Sequence, residues 1–215
     1  MEDFEVTTIS HYMRSWCNGS IRGSNPLGLG STPRDRATKG VFMKRHITSD
    51  THFGHTNVIA YCARPFRSVE EMDAELIKRW NARVSKDDLV FHLGDFCFRA
   101  PQEKVKELVS KLNGRIILVM GNHDSHPNKW YIECGFINAT RYPIIVDQNI
   151  ILSHEPPAPE LISSKYFYVF GHTHEKHSFT EDNFENTKCV CVERTEYAPI
   201  NFNEVLKEAY EYGKK

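Results

Sequence analysis

The chain has 215 residues, 40% of them hydrophobic and 26% charged, with a formal net charge of −1. That balance suits one soluble domain with a substantial core, and it gives no support to a surface built on general basicity that would bind long duplex nucleic acid. No apolar run approaches the roughly 18 residues that suggest a membrane span. The acidic N-terminus, with Glu2, Asp3 and Glu5, lacks the apolar stretch of a secretory signal.

Six cysteines occur with no CxxC pair. Cys189 and Cys191 would point the same way on one strand, which is poor geometry for a local disulfide. The expectation is free, mostly buried thiols in a reducing cytoplasm, the host's if the chain is phage-encoded.

Residues 1–42 carry no sustained helical or strand period, and Gly, Ser, Asn, Pro and Arg dominate from Trp16 to Thr38. They read as an N-terminal extension outside the fold, either a disordered tail or the product of a start placed too far upstream. Gly30-Ser31-Thr32-Pro33 is the translation of a string like the T-arm of a transfer-RNA gene. Trp16-Cys17-Asn18-Gly19-Ser20 likewise fits a D-arm, so a start at Met43 is the sharper expectation. The folded domain is then 43–215.

In chain order, 45–49 reads as a buried strand ending at Asp50-Thr51-His52. Ser68-Val69-Glu70-Glu71 is a capping-box signal, and Met72, Leu76, Ile77 and Trp80 continue it at helical spacing, which predicts an amphipathic helix over 69–83. A second strand, 88–93, ends at Gly94-Asp95. Pro101 opens a helix to about Lys111, and Asn113-Gly114 turns the chain into the strand 116–120. That strand stops at Gly121-Asn122-His123-Asp124. A strand pair over 143–146 and 150–153 leads to His154, and 166–170 leads to Gly171-His172-Thr173-His174. Residues 189–192 alternate like a last strand. Residues 202–212 form an exposed-looking C-terminal helix capped by Asn201 or Asn203.

Five apolar strands thus each end in a polar cluster. Together the clusters supply carboxylates, imidazoles and one amide carbonyl, with no thiolate, a set suited to Mn²⁺, Fe, Zn²⁺ or a similar ion. Seven candidate ligands exceed the four of one tetrahedral zinc. They suit two ions sharing a carboxylate, a pair that can lower the pKa of a shared water and neutralise phosphoryl oxygens. A remaining histidine could protonate a leaving oxygen.

The series Asp50-x-His52, Gly94-Asp95, Gly121-Asn122-His123-Asp124, His154 and Gly171-His172-Thr173-His174 resembles the calcineurin-like metallophosphoesterase superfamily, in the family's order and across essentially all of 43–200. The resemblance implies an α/β fold, a four-layer αββα sandwich of mixed β-sheets flanked by helices, which spacing alone does not separate from a doubly wound single sheet. It implies two divalent ions, with Mn favoured and Fe, Zn, Ni, Co or Mg compatible. One would be held by Asp50, His52 and His174, the other by Asn122, His154 and His172, with Asp95 bridging. His123 would be the catalytic, non-ligand histidine that contacts phosphate. Phe96-Cys97-Phe98-Arg99 departs from the Asp-Arg-Gly extension of the serine/threonine phosphatase branch. Phe53-Gly54-His55-x-Asn57 is closer to small bacterial and phage-type phosphoesterases.

Arg99, His55 and Asn57 are candidate substrate contacts, Arg99 foremost because its guanidinium offers paired donors. Asp124 is the nearest acidic candidate for a supporting role. His92, inside a strand, reads as a hydrogen-bonded core residue, and Tyr131, Phe136, Tyr166, Phe167 and Tyr168 as core or pocket wall. The expected activity is hydrolysis of phosphomonoester or phosphodiester bonds of a small or nucleotide-like substrate. Two alternatives are a nuclease acting on short oligonucleotides or cyclic nucleotides, and a catalytically silent metal-binding scaffold.

Overall fold

A computed structural model describes residues 43–147, 149–176 and 179–214. The extension over 1–42, with Cys17, lies outside the described residues, as do Gln148 and His177.

The first sheet has the order β4-β3-β2-β1-β9. Its strands are β1 (Arg45–Thr48), β2 (Leu89–His92), β3 (Arg115–Val119), β4 (Asn138–Thr140) and β9 (Ile200–Asn201). β1 to β4 run parallel and β9 antiparallel to β1. The second sheet, order β5-β6-β7-β8, contains β5 (Ile144–Val146), β6 (Ile150–Leu152), β7 (Phe167–Phe170) and β8 (Thr187–Cys189). β5 and β6 form the expected antiparallel pair, and β6, β7 and β8 are parallel. Two mixed sheets flanked by helices are the architecture the resemblance implied.

The helices are α1 (Thr56–Tyr61), α2 (Val69–Arg83), α3 (Gln102–Lys111), α4 (Asn128–Glu133), α5 (Phe179–Asn183) and α6 (Phe202–Tyr212). α2 begins where its capping signal stands: Ser68 Oγ accepts from Glu71 N at 3.2 Å, and Glu71 Oε2 accepts from Arg67 N at 2.8 Å. Its Met72, Leu76 and Trp80 are buried, each side chain of that size stabilising the fold by about 1.5–3 kcal/mol. They pack with Val90, Ile116, Leu118 and Met120, alternate residues of the sheet's helix-covered face. On the opposite face Phe91 meets Phe202 of α6, ring centroids 5.4 Å apart. Pro101 stands at the N-cap of α3, one residue earlier than a first-turn proline.

Two expectations are corrected. No strand spans 189–192: β8 ends at Cys189, Cys191 only bridges to Ser49, and Val192–Arg194 is a 3-10 turn. The Val192 N–H is taken by Ser49 O at 3.1 Å, so this edge closes onto the first sheet's β1 and no longer extends the second. The C-terminal helix is not an exposed one. Phe202, Val205 and Ala209 are buried, and Asn201 caps it by accepting from Asn203 N at 2.9 Å. Five elements gave no readable period: α1 and α4 have six residues each, α5 has five, β4 three and β9 two.

Parallel pairing sets Thr48, His92 and Leu118 side by side, and Leu152 beside Val169. Every loop leaving β1, β2, β3, β6 and β7 therefore departs at one sheet edge or the other's matching end, the place where α/β sheets build sites.

Candidate metal centre

Asp50, His52, Asp95, His172 and His174 all adopt the left-handed region, with φ of 58°, 51°, 55°, 68° and 54°. For residues other than glycine this conformation is sparsely populated and costs of order 1 kcal/mol each. What it achieves is a tight turn directly after each strand, so that side chains two apart both face inward. Hydrogen bonds hold the turns against one another: Asp50 N donates to Gly94 O at 3.0 Å, His52 N to Asp95 O at 3.0 Å and Gly171 N to His154 O at 2.9 Å. Gly171 is required by close approach, since a Cβ there would lie 2.0 Å from Ser49 Oγ and 2.3 Å from Asp50 Oδ2.

Two donor clusters result. In the first, Asp50 Oδ1 lies 3.8 Å from both His52 Nε2 and His174 Nε2. In the second, His154 Nε2 is 3.0 Å from Asn122 Oδ1 and 3.1 Å from His172 Nδ1, which is itself 3.0 Å from Asn122 Oδ1. Asp95 Oδ2 joins the two, 3.5 Å from His52 Nε2 and 3.6 Å from His154 Nε2. The sequence assignment of ligands falls into these same two groups, with Asp95 between them. A cation with bonds of about 2.1 Å sets tetrahedral donors roughly 3.4 Å apart, so the spacings fit one ion per cluster.

Asp50 Oδ1 and His52 Nε2 are buried with no protein hydrogen-bond partner. Unpaired buried acceptors are costly, and a divalent cation between them is what this donor set accommodates. His52 Nδ1 is likewise unpartnered, whereas atoms of His154, Asp50 and Asp95 are committed elsewhere, which fixes the direction of their free lone pairs. His154 Nδ1 donates to Leu93 O at 2.7 Å, leaving Nε2 to face the cluster. Asp50 Oδ2 accepts from His172 N at 2.8 Å and Ser49 Oγ at 2.5 Å. Asp95 Oδ1 accepts from His123 N at 2.9 Å.

Burial, and then the charges of His174 and Arg64, push His52 far below the ordinary histidine range, so its ring is neutral and able to ligate. Burial opposes charge on His174 too. There its contacts with Cys62 and Glu193 and the Asp50 carboxylate prevail and carry the ring up to about 11, so a cation held here would have to displace the Nε2 proton. Burial raises the Asp95 carboxyl.

His123 stands outside both clusters. Its half-exposed ring places Nε2 3.9 Å from Asp95 Oδ2, at the rim. His55 is buried beside it, stacked on Phe98 with centroids 3.9 Å apart, and Arg99 lies over the Phe98 ring at 5.1 Å. A cavity of about 410 Å³ opens here, lined by His52, His55, Tyr61, His123, His172 and His174 among others. Arg99 and Asn57 are exposed and do not line it.

Asp124 has a clear place. Its carboxylate accepts from Asp95 N at 2.7 Å, Phe96 N at 3.3 Å and Gly121 N at 2.9 Å, tying the β2 and β3 loops together. Burial lifts it to about 7. His92 is the core residue expected, fully buried with Nε2 3.0 Å from Thr51 Oγ1.

Sequence reasoning missed Glu193 and Arg64. Glu193 Oε1 accepts from His174 Nδ1 at 2.9 Å and lies 2.6 Å from Arg64 Nη2, both side chains buried. Arg64 also donates to Thr51 O at 2.9 Å and Asp50 O at 2.7 Å. Neither sits in a spaced motif, and an arginine in an irregular stretch ordinarily reads as surface.

With this geometry in place, the chain belongs to the calcineurin-like phosphoesterase family, whose model matches residues 43–208. It is 36% identical over 169 residues to an uncharacterised protein of Methanocaldococcus jannaschii, covering 76% of this chain and 90% of that one. It is 31% identical over 129 residues to the gene 66 protein of Mycobacterium phage L5, covering 59% of this chain and 58% of the relative. Among solved structures it resembles a protein of unknown function from Aquifex aeolicus, with a TM-score of 0.60, 24% identity, and coverage of 77% of this chain and 98% of that one. The last likeness concerns the fold alone. Among the described residues no helix is long and apolar enough to cross a membrane.

Proposed function

We propose that this chain is a dinuclear metal-dependent phosphoesterase that hydrolyses phosphomonoester or phosphodiester bonds of a small or nucleotide-like substrate. The observation that carries the reading is Asp95 Oδ2, set between two donor clusters at 3.5 Å from His52 Nε2 and 3.6 Å from His154 Nε2. Asp50, His52 and His174 would hold one divalent ion and Asn122, His154 and His172 the other, with Mn²⁺ favoured by the oxygen and imidazole donors. Such a pair supplies Lewis acidity, lowering the pKa of water and neutralising phosphoryl oxygens.

The chain's own residues do the rest. His123 keeps Nε2 exposed and free of ligand duty, so it can hold a proton and deliver it to the leaving oxygen. Its backbone N–H, on Asp95 Oδ1, fixes the carboxylate whose other oxygen faces the clusters. Glu193 and Leu93 O orient the rings of His174 and His154 from behind. A net charge of −1 supports a small substrate over long duplex nucleic acid. Cys62, Cys97, Cys134, Cys189 and Cys191 are free thiols, which supports a reducing, cytoplasmic setting.

The test compares p-nitrophenyl phosphate with bis-p-nitrophenyl phosphate in Mn²⁺. His123→Ala should keep its metal and lose turnover, by about 10²–10⁴-fold on an alkyl ester whose leaving oxygen needs the proton and by less on the p-nitrophenyl esters, whereas Asp95→Ala should also lose metal by elemental analysis. Equal metal content and equal activity in the two variants, or a metal-loaded wild type inert on both esters, would sink the reading.

A further inference from the structure

The ligand ring has a cavity on each side, and their walls differ in kind. The cavity at His123 is walled largely by imidazoles. Past Asn122 and His154 opens a second cleft of about 820 Å³, whose other walls include Pro143, Ile151, Pro157, Leu161 and Tyr166. Its size suits a small-molecule pocket, and its lining is the apolar kind that such pockets use. The proposed chemistry leaves it unused.

This wall is built and held. Tyr168 Oη donates to Leu161 O at 3.1 Å and accepts from Ser163 N at 3.0 Å, while Asn186 Nδ2 donates to Ser163 O at 3.1 Å. Leu161 is thereby kept at the cleft as an apolar side chain 70% exposed. Arg141, also on the cleft, is fixed by donating to Asp124 O and His126 O, each at 3.2 Å, and sets a positive charge beside apolar walls.

The leaving oxygen has to lie at His123, which lines the first cavity and not the second. A substituent retained on phosphorus then points across the ring, past Asn122 and His154. We infer that the cleft binds this retained substituent, so that the substrate is a phosphodiester carrying a flat, largely apolar group there: an aryl ring or a nucleobase. Hydrolysis balances simply. Water oxygen bonds to phosphorus as the P–O bond to the leaving group breaks, the leaving oxygen takes one proton, and the cleft retains the monoester. This rests on the phosphoesterase reading.

The test uses the full Mn²⁺-loaded chain and one leaving group, p-nitrophenolate, with methyl, p-nitrophenyl or thymidine-5′ as the retained group. The expected kcat/KM favours at least one flat substituent over methyl by about tenfold or more, and the better of the two names the source. Leu161→Asp, a charge at the exposed wall, should cut that preference severalfold. A preference near one, or one untouched by Leu161→Asp, overturns the inference. Should no ester turn over, the phosphoesterase reading fails separately. Binding of diphenyl phosphate against dimethyl phosphate by calorimetry then decides the cleft: tenfold tighter diphenyl phosphate supports it, and equal affinity refutes it.

Discussion

Glu193 is the residue whose replacement best tests how the centre is held. Its Oε1 accepts the Nδ1 proton of His174 at 2.9 Å and faces Arg64 Nη2 at 2.6 Å, with both acid and guanidinium buried. Glu193→Gln keeps the volume but removes the charge that fixes the His174 tautomer. Losing such an outer partner typically weakens metal binding about 10–100-fold. Since RT ln 10 is about 1.4 kcal/mol, that is roughly 1.4–2.7 kcal/mol, confined to the Asp50, His52 and His174 cluster. Glu193→Ala should do more, because it leaves Arg64 buried without its counter-charge, at a folding cost of about 3–5 kcal/mol. Mn²⁺ titration calorimetry reads the two sites, and urea unfolding of the metal-free chain reads the fold. Weakening of both sites alike by the Gln variant, or of neither, would refute the argument that Glu193 acts through His174.

Asp124→Ala orphans three buried N–H groups, of Asp95, Phe96 and Gly121, and should destabilise the metal-free fold by about 3–5 kcal/mol, read as a lower urea midpoint at unchanged slope. Gly171→Ala forces a Cβ to within 2.0 Å of Ser49 Oγ; stoichiometric Mn²⁺ binding should be lost, and a variant binding both ions with wild-type affinity would contradict the close approach. Asp88→Asn probes pH dependence away from the centre. Burial would raise Asp88, but the N–H groups of Ser85 and Lys44 and the His46 ring outweigh it and hold the carboxyl below its ordinary 3.8. A depressed carboxyl contributes stability above the unfolded value that disappears as pH falls through the folded one. The Asn variant should therefore be about 1–2 kcal/mol less stable at pH 7, with the gap closing as pH drops below about 4, followed by urea midpoints of both proteins.

What the sequence made legible was whatever repeats locally or ends abruptly. The 69–83 helix stood out because its cap, its acidic first turn and its apolar period agree, and Val69–Arg83 forms. The ligands stood out because each closes an apolar strand, and parallel register then brings those ends together. The last strand was misplaced because alternation over 189–192 cannot tell a partner in one sheet from a bridge to the other. The C-terminal helix was misjudged because its buried face, Phe202, Val205 and Ala209, is narrow among charged residues. Glu193 and Arg64 were invisible for a different reason. Their meaning is a contact between positions 129 residues apart, and nothing local announces it.

The two halves of the centre are built differently, and the difference divides the labour. Asp50 and His52 are almost wholly buried, at 0% and 2% exposure; Arg64 and Cys191 lie against Asp50, and Glu193 backs His174. Asn122 and His172 are exposed, and His154 opens with Asn122 onto the apolar cleft. Rigid, strained turns backed by buried charges suit a site that keeps its ion, since reorganisation there would break several buried hydrogen bonds at once. The open half has fewer such restraints and borders both cavities. Changes at Glu193 should therefore register first in metal retention, and changes at Leu161 in which ester is chosen. Asp95 Oδ2 faces both halves, so a change at Asp95 should register in both at once.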